Sequence, residues 1–467
     1  MRRTGEPDTI AAVATPPGEG GISVIRVSGP RSIEIVGKGF IGKKPLKDVQ
    51  SHTAHFGQFV DSQRNVLDEL IALVFRGPRS YTGEDVVEVS CHGGLLVTRH
   101  ILNALLEYGA RLATPGEFTK RAFLNGKLDL SQAEAVADLI HSGSDLAHRS
   151  SLQQLEGRLS KQINNLRDQL IETVGLLELE LDFVEEHLEI VDKHDLSRKV
   201  ENTLENLHSL LRTSIEGRLY REGLKVVLAG APNAGKSSIL NMLLNEDRAI
   251  VTEIPGTTRD TIEESLSIGG MLFRVVDTAG LRETNDLVEQ EGVSRTETQI
   301  ETSDILVYVI DSSRPPGSGE MEKAREVLSS TAACRIVVLS KTDLSSGDPL
   351  KLSQQLSQSA NTAFVEVSAK TGRGMERLKE LLAHTIPNTM KPYFESSVTV
   401  TNLRHARAIK DAAESLDLAL KTLKEGKSSE LVIVDLRASL DHLGEITGVV
   451  TSDEILESIF ARFCIGK

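Results

Sequence analysis

The chain has 467 residues, of which 39% are hydrophobic and 26% charged, with no tryptophan and a formal net charge of -14. That length fits about three domains, and no apolar run approaches the roughly 20 residues of a membrane span, so membrane association is not expected. Met1–Ile10 lacks the apolar stretch of a signal peptide, which makes the expected compartment cytoplasmic, and the acidic balance argues against broad non-specific nucleic-acid binding.

Residues 1–125 read as an α+β domain. Strand-like runs at Thr9–Val13 and Ile22–Val27 flank the turn Pro16-Pro17-Gly18-Glu19-Gly20-Gly21, two more fall at Leu70–Phe75 and Val86–Ser90, and a helix is expected over Leu95–Tyr108. A polar cluster gathers Arg26, Thr82-Gly83-Glu84-Asp85, Glu88 and Cys91-His92-Gly93-Gly94. Glu84, Asp85 and Arg79 read as solvated loop charges, and His92, with no partner in view, as a satisfied turn histidine. Cys91, Cys334 and Cys464 show no CxxC or Cys/His metal spacing, so no disulfide framework is expected.

Residues 126–216 are helical by pattern, because Ala133, Val136, Ile140, Leu152, Leu155, Leu159, Ile163, Leu166 and Leu170 recur at helical spacing. The acidic run Glu178–Asp192 reads as a solvated helix face and its exit loop. Residues 386–467 are helical again, over Leu403–Leu423, Leu431–Leu443 and Ile455–Phe463. The tail after Pro392, of about 75 residues, is small for its own core. It is therefore expected to pack against residues 130–215, which makes 217–385 an insertion between two parts of one helical domain.

The inserted segment opens on the apolar run Leu224–Ala229 and then Gly230-Ala231-Pro232-Asn233-Ala234-Gly235-Lys236-Ser237, a match to G-x-x-x-x-G-K-[ST]. Glycines at both ends let the backbone wrap so that successive N–H groups face phosphate oxygens, and the following helix presents its positive end. Lys236 would reach the β and γ phosphates and Ser237 would ligate Mg²⁺, with Thr258 completing the Mg²⁺ shell. Strand-like runs at Leu272–Val276, Ile305–Ile310, Arg335–Leu339 and Ala363–Val367 alternate with helix-length segments, which argues for a mostly parallel sheet with helices on both faces. Asp277-Thr278-Ala279-Gly280, Ser340-Lys341-Thr342-Asp343 and Ser368-Ala369-Lys370 each follow one of these strands. The Asp343 carboxylate can accept from guanine N1–H and the 2-amino group, whereas adenine offers a bare acceptor at N1. Lys341 would lie across the base and the Ala369 N–H would meet guanine O6.

This set resembles the translation-factor-like GTPases, with two departures. Their guanine motif normally reads N-K-x-D and here begins with Ser340, which would lose one base contact; the residue after D-x-x-G is Leu281, where a glutamine would orient the attacking water. Arg259 can serve either as an arginine finger or as a structural cation. Cys464 reads as an inert thiol, with a nucleophile as the alternative.

The resemblance extends further. D-T-I-A-A-x-A-T-P-P-G-x-G-G at the N-terminus, F-T-K-R-A-F-L-N-G-K-L-D-L from Phe118, N-A-G-K-S-S, G-T-T-R-D, D-T-A-G-L-R-E and the terminal Cys464-Ile465-Gly466-Lys467 together resemble the MnmE (TrmE) family of tRNA-modifying GTPases. The resemblance implies GTP contacts from Asn233, Ala234, Gly235, Lys236, Ser237 and Ser238, and from Thr252, Glu253, Ile254, Pro255, Gly256, Thr257 and Thr258. Further contacts would come from Asp277, Thr278, Ala279 and Gly280, from Ser340, Lys341, Thr342 and Asp343, and from Ser368, Ala369 and Lys370. It implies a K⁺ held by Asn233, Thr252, Ile254 and Thr257, and places Glu289, otherwise a helix-surface acid, at the catalytic glutamate. It also implies that Arg26, Glu88, Lys127 and Lys467 bind 5-formyltetrahydrofolate or a related formyl- or methylene-tetrahydrofolate. The partners implied are a second copy of the chain, an FAD-dependent MnmG/GidA-like subunit in a heterotetramer, and tRNA, whose wobble uridine would receive an aminomethyl-type group at C5. The competing expectation is a GTP-dependent molecular switch in ribosome assembly.

Overall fold

The computed structural model describes residues 8–182, 192–248, 263–277, 298–329, 334–344, 356, 362–385, 398–461 and 463–467. Two compact units are formed, one of Met1–Ala137, Gln154–Gly175 and Leu436–Lys467, the other of Asp138–Gln153 and Leu176–Asp435.

The first unit carries a sheet of β1 (Ile10–Val13), β2 (Ile22–Ser28), β3 (Phe40–Gly42), β4 (Thr53–Val60), β5 (Val66–Phe75), β6 (Val86–His92) and β7 (Arg111–Leu112), in the order β3-β4-β5-β6-β2-β1-β7. The β1–β7 pair is parallel and the other pairs are antiparallel. Side chains alternate across a strand. Ile25, Val27, Val87 and Val89 accordingly face a core shared with Ile35 and Val36 of α1 (Ser32–Gly39) and Ile101 and Leu105 of α2 (Leu95–Glu107). The intervening Arg26 and Glu88 stand on the opposite face, directly across from each other in register. β3, β4 and the short β7 are additions to the strands expected from sequence. α3 (Glu117–Leu124) follows the sheet, and α4 (Leu130–Ile140) places Leu130, Ala133 and Val136 against Leu456, Phe460 and Phe463 near the C-terminus.

The second unit is built on β8 (Leu224–Gly230), β9 (Glu263–Ile268), β10 (Met271–Asp277), β11 (Ile305–Asp311), β12 (Cys334–Ser340) and β13 (Thr362–Glu366), in the order β13-β12-β11-β8-β10-β9. All pairs are parallel except β9–β10, and β9 was not expected. Both faces are covered, which is why its strands read as continuous apolar runs. Val226, Leu228, Val307 and Val338 pack against Ile239 and Leu243, and against Leu378 and Leu382 of the helix Met375–His384. On the other face Val227, Ala229, Leu306 and Val337 pack against Met321, Ala324 and Leu328 of the helix Ser318–Ser329.

Also in this unit, the helix Lys193–Glu222 packs along Leu403–Lys424, and the Val400 N–H donates to Thr213 Oγ1 at 3.1 Å. Gly217 permits that approach, since a β-carbon there would lie 2.1 Å from the Val400 oxygen. Among the described residues no helix is long and apolar enough to cross a membrane.

Candidate functional site

The phosphate loop leaves the central strand β8 at Gly230, where φ is +139° and a β-carbon would stand 2.2 Å from the Val309 oxygen. Only glycine fits there. Asn233 is left-handed at φ +60°, and Gly235 at φ +98° caps the helix Lys236–Asp247. The loop therefore presents backbone N–H groups and a helix N-terminus to one concavity, the arrangement that receives phosphate. Lys236 is only 6% exposed, and its ammonium donates to the Gly230 and Ala231 carbonyls at 2.9 and 2.8 Å. Ala234 is buried, while Ser237 and Ser238 stand exposed in the first helical turn.

Ser340, Lys341, Thr342 and Asp343 follow β12. The Ser340 hydroxyl donates to the Ala234 carbonyl of the phosphate loop, with the Ile310 oxygen at 3.1 Å as a second acceptor. Lys341, left-handed at φ +57°, reaches Asp311 Oδ2 at 2.7 Å. Burial works against the Asp311 charge, but hydrogen bonds from Lys341 and Ser313 hold its carboxyl below the usual aspartate range. Asp343 is exposed and accepts from Ser368 Oγ at 2.8 Å. The Thr342 N–H donates to the Val367 oxygen at 3.3 Å, which ties this segment to the one carrying Ala369, partly buried, and Lys370, exposed. Asp277 ends β10 beside Leu228 of β8. Thr252, Glu253, Ile254, Pro255, Gly256, Thr257, Thr258, Arg259, Thr278, Ala279, Gly280, Leu281 and Glu289 lie outside the described residues.

In the first unit, Arg26 pairs with Glu88 at 2.8 Å. Its guanidinium lies 4.9 Å from the Tyr81 ring centre and 5.7 Å from that of Phe118, within cation–π range. Among the described residues Nη1 of Arg26 is buried without a hydrogen-bond partner. Lys467 stands in the same electrostatic neighbourhood: burial, then the Arg26 charge, push its ammonium below the usual lysine range, with Glu88 opposing. Lys127 donates to the Pro78 oxygen at 3.1 Å and runs beside Gly83. Cys464 is exposed, and its carbonyl accepts from the N–H groups of Gly116 at 3.4 Å and Lys467 at 3.3 Å.

The structure corrects two readings of this unit. Glu84 and Asp85 are not solvated loop charges: Glu84 accepts from Ser28 Oγ at 3.0 Å and Arg121 at 3.1 Å, and Asp85 accepts the Gly77 N–H at 2.9 Å. His92 has a partner, since Asp68 accepts from its backbone N–H at 2.8 Å and lies 2.7 Å from its Nδ1. Sequence reasoning also missed the network of Asp8, Arg111, Glu117 and Arg121. Phe118 and Arg121 lie inside the quoted F-T-K-R-A-F stretch, but no spacing rule announces what they touch.

A Gly-x₄-Gly-Lys-Ser loop between a central parallel strand and a helix defines a P-loop nucleoside triphosphatase. The chain belongs to the MnmE family of tRNA modification GTPases. A family profile described as the MnmE helical domain matches residues 130–464, and one described as the GTP-binding protein TrmE N-terminus matches 9–127. A protein named tRNA modification GTPase MnmE from Chlorobium phaeobacteroides is 44% identical over 468 residues, 98% of this chain and 97% of the relative. One of the same name from Salinibacter ruber is 44% identical over 465 residues, 98% of this chain and 99% of the relative. The Chlorobaculum tepidum protein is 40% identical, covering 98% and 97%.

Proposed function

We propose that this GTP hydrolase, together with an FAD-dependent MnmG/GidA-like partner, installs a carboxymethylaminomethyl-type group on C5 of the wobble uridine of certain tRNAs in the cytoplasm. The one-carbon donor is 5-formyltetrahydrofolate or a related formyl- or methylene-tetrahydrofolate. The observation that carries this reading is the Arg26–Glu88 pair with Lys467, 441 positions from Arg26, within their electrostatic reach, and with a buried Arg26 nitrogen that has no hydrogen-bond partner among the described residues. A carboxylate suits the pterin 2-amino and N3–H edge and cations suit a glutamate tail, with Lys127, which runs beside Gly83, as a further cation. Two copies of the chain and two of the partner form the working assembly, built on domains 1–125, 126–216, 217–385 inserted, and 386–467.

In the nucleotide site Lys236 neutralises phosphate charge and Asp343 selects guanine. Ser237 and Thr258 supply hydroxyl oxygens suited to Mg²⁺, and Asn233, Thr252, Ile254 and Thr257 supply amide, hydroxyl and carbonyl oxygens suited to K⁺. These hard donors fit both ions, whose charge can stabilise the phosphate oxygens in the way an arginine finger otherwise would. Glu289 places the attacking water, the role that Leu281 cannot fill. Glu289→Ala should bind GTP yet hydrolyse it slowly, and Asn233→Ala should lose K⁺ stimulation.

Nucleoside mass spectrometry of tRNA from cells lacking this gene, beside complemented cells, tests the proposal. A C5-modified wobble uridine should vanish and return. An unchanged profile would leave a GTPase switch, of the ribosome-assembly kind, as the better reading.

A further inference from the structure

We propose that Ser340 is a positioning residue for the phosphate loop and makes no contact with the base, so that this chain sets nucleotide affinity through a strut between β12 and Ala234 while Asp343 alone reads the guanine edge at this segment. The proposal rests on the guanine-nucleotide reading of the site.

Three observations carry it. First, Ser340 is 2% exposed and its single hydroxyl proton is directed at the Ala234 carbonyl, with the Ile310 oxygen as its longer alternative. A serine side chain ends at that oxygen, so no further donor extends toward a base. Second, the Ser340 carbonyl is also committed, accepting the Ser312 N–H at 3.0 Å and hydroxyl at 2.6 Å. The residue thereby ties the exit of β11, the exit of β12 and the phosphate loop at one point. Third, the loop passes against it: a β-carbon built on Gly235 would lie 3.6 Å from both Cβ and Oγ of Ser340, ordinary contact.

The neighbouring polar groups are pinned separately, Lys341 on Asp311 at 2.7 Å and Asp343 on Ser368 at 2.8 Å. None of these contacts depends on the Ser340 hydroxyl. Removing that hydroxyl should loosen the phosphate loop and leave base selection intact. In N-K-x-D proteins the longer amide has reach to spare beyond such a tie; here the two functions are divided between Ser340 and Asp343.

The test is titration of the purified full-length chain with fluorescent GDP and by competition with 7-deaza-GDP, whose base lacks the N7 acceptor that a hydroxyl donor could reach, and with ADP. Ser340→Ala should weaken GDP and 7-deaza-GDP by the same factor, about tenfold, with the GDP-to-7-deaza-GDP ratio of the parent retained. Ser340→Thr, which keeps the hydroxyl, should restore affinity. A changed GDP-to-7-deaza-GDP ratio would show that Ser340 reads the base, and an unchanged GDP affinity would show that the strut is idle; either overturns the proposal. Should Ser340→Ala fail to fold, Ser340→Cys carries the same comparison, its weaker donor giving a smaller loss at constant ratio. A parent chain without preference for GDP over ADP removes the guanine site itself, an outcome distinct from an intact site indifferent to residue 340.

Discussion

A β-carbon on Gly466 would stand 2.2 Å from the carbonyl oxygen of Val13, and Gly466 holds φ at +100°. The chain's penultimate residue therefore lies against the end of β1 in a way only glycine allows, and it leaves Lys467 within the electrostatic reach of Arg26 and Glu88. Gly116, at φ +67°, meets the tail from the other side, where a β-carbon would lie 2.7 Å from the Phe460 oxygen. Gly466→Ala combines a clash with a strained backbone, costing roughly 1–3 kcal/mol. The tail should lift, and 5-formyltetrahydrofolate should bind about tenfold more weakly or worse by isothermal titration. Parent-like affinity would mean that the placement of the tail does not matter to the site.

Glu117 should govern acid stability of the first unit. Its side chain is 12% exposed and accepts from Arg111 at 2.6 Å, Arg121 at 3.0 Å and the Thr114 N–H at 2.9 Å. Burial raises its pKa, yet these donors hold it at about 2, below its ordinary 4.5. A depressed pKa means that the stabilisation is full above pH 4.5 and is lost as pH falls through about 2. Glu117→Gln should cost about 2 kcal/mol near pH 7, because it leaves two guanidinium groups undercompensated. The gap between parent and variant in denaturant melts should close as pH falls toward 2. A gap independent of pH would rule out the ionic origin.

Legibility followed burial. Leu224–Ala229 and Ile305–Ile310 were readable because their sheet is covered on both faces, so continuous apolar runs and the Gly-Lys-Ser loop marked them directly. β4 escaped notice because its outward positions include an exposed Phe56 while its inward ones include His55 and Gly57, so polarity does not follow the alternation of burial. That glycine is required: a β-carbon there would meet the Ile41 oxygen at 2.5 Å. The Arg26–Glu88 pair was reached through family resemblance, since sequence places the two 62 positions apart and only the β2–β6 register sets them opposite. The Asp8–Arg111–Arg121–Glu117 network had no local signature, because Asp8 meets its partners across 103 and 113 positions.

His92 should report on Asp68. The imidazole is 71% exposed while the carboxylate is 10% exposed, and the hydrogen bond between them, followed by their charge attraction, raises the His92 pKa above its ordinary 6.5. A raised pKa means that the pair stabilises the fold below pH 6.5 and that its contribution fades as pH climbs through the folded value. Asp68→Asn should bring the His92 midpoint down toward 6.5 in an NMR titration. A midpoint that does not move would show that the ring is not protonated against Asp68.

Asp343 should be convertible from guanine to xanthine recognition. Its carboxylate is exposed and steadied by Ser368 Oγ at 2.8 Å, so both oxygens remain able to accept from a base edge. Guanine offers N1–H and a 2-amino donor to that carboxylate, whereas xanthine offers N1–H and a 2-oxo acceptor, which pairs with an amide presenting one acceptor and one donor. Asp343→Asn should therefore lower GDP affinity by about a hundredfold or more, as expected when a polar group in a recognition site loses its partner, and should raise affinity for XDP. Competition of both nucleotides against fluorescent GDP on the parent, and against fluorescent XDP on the variant, checks this. Loss of GDP binding without any gain for XDP would show that residue 343 holds the segment in shape and does not read the base.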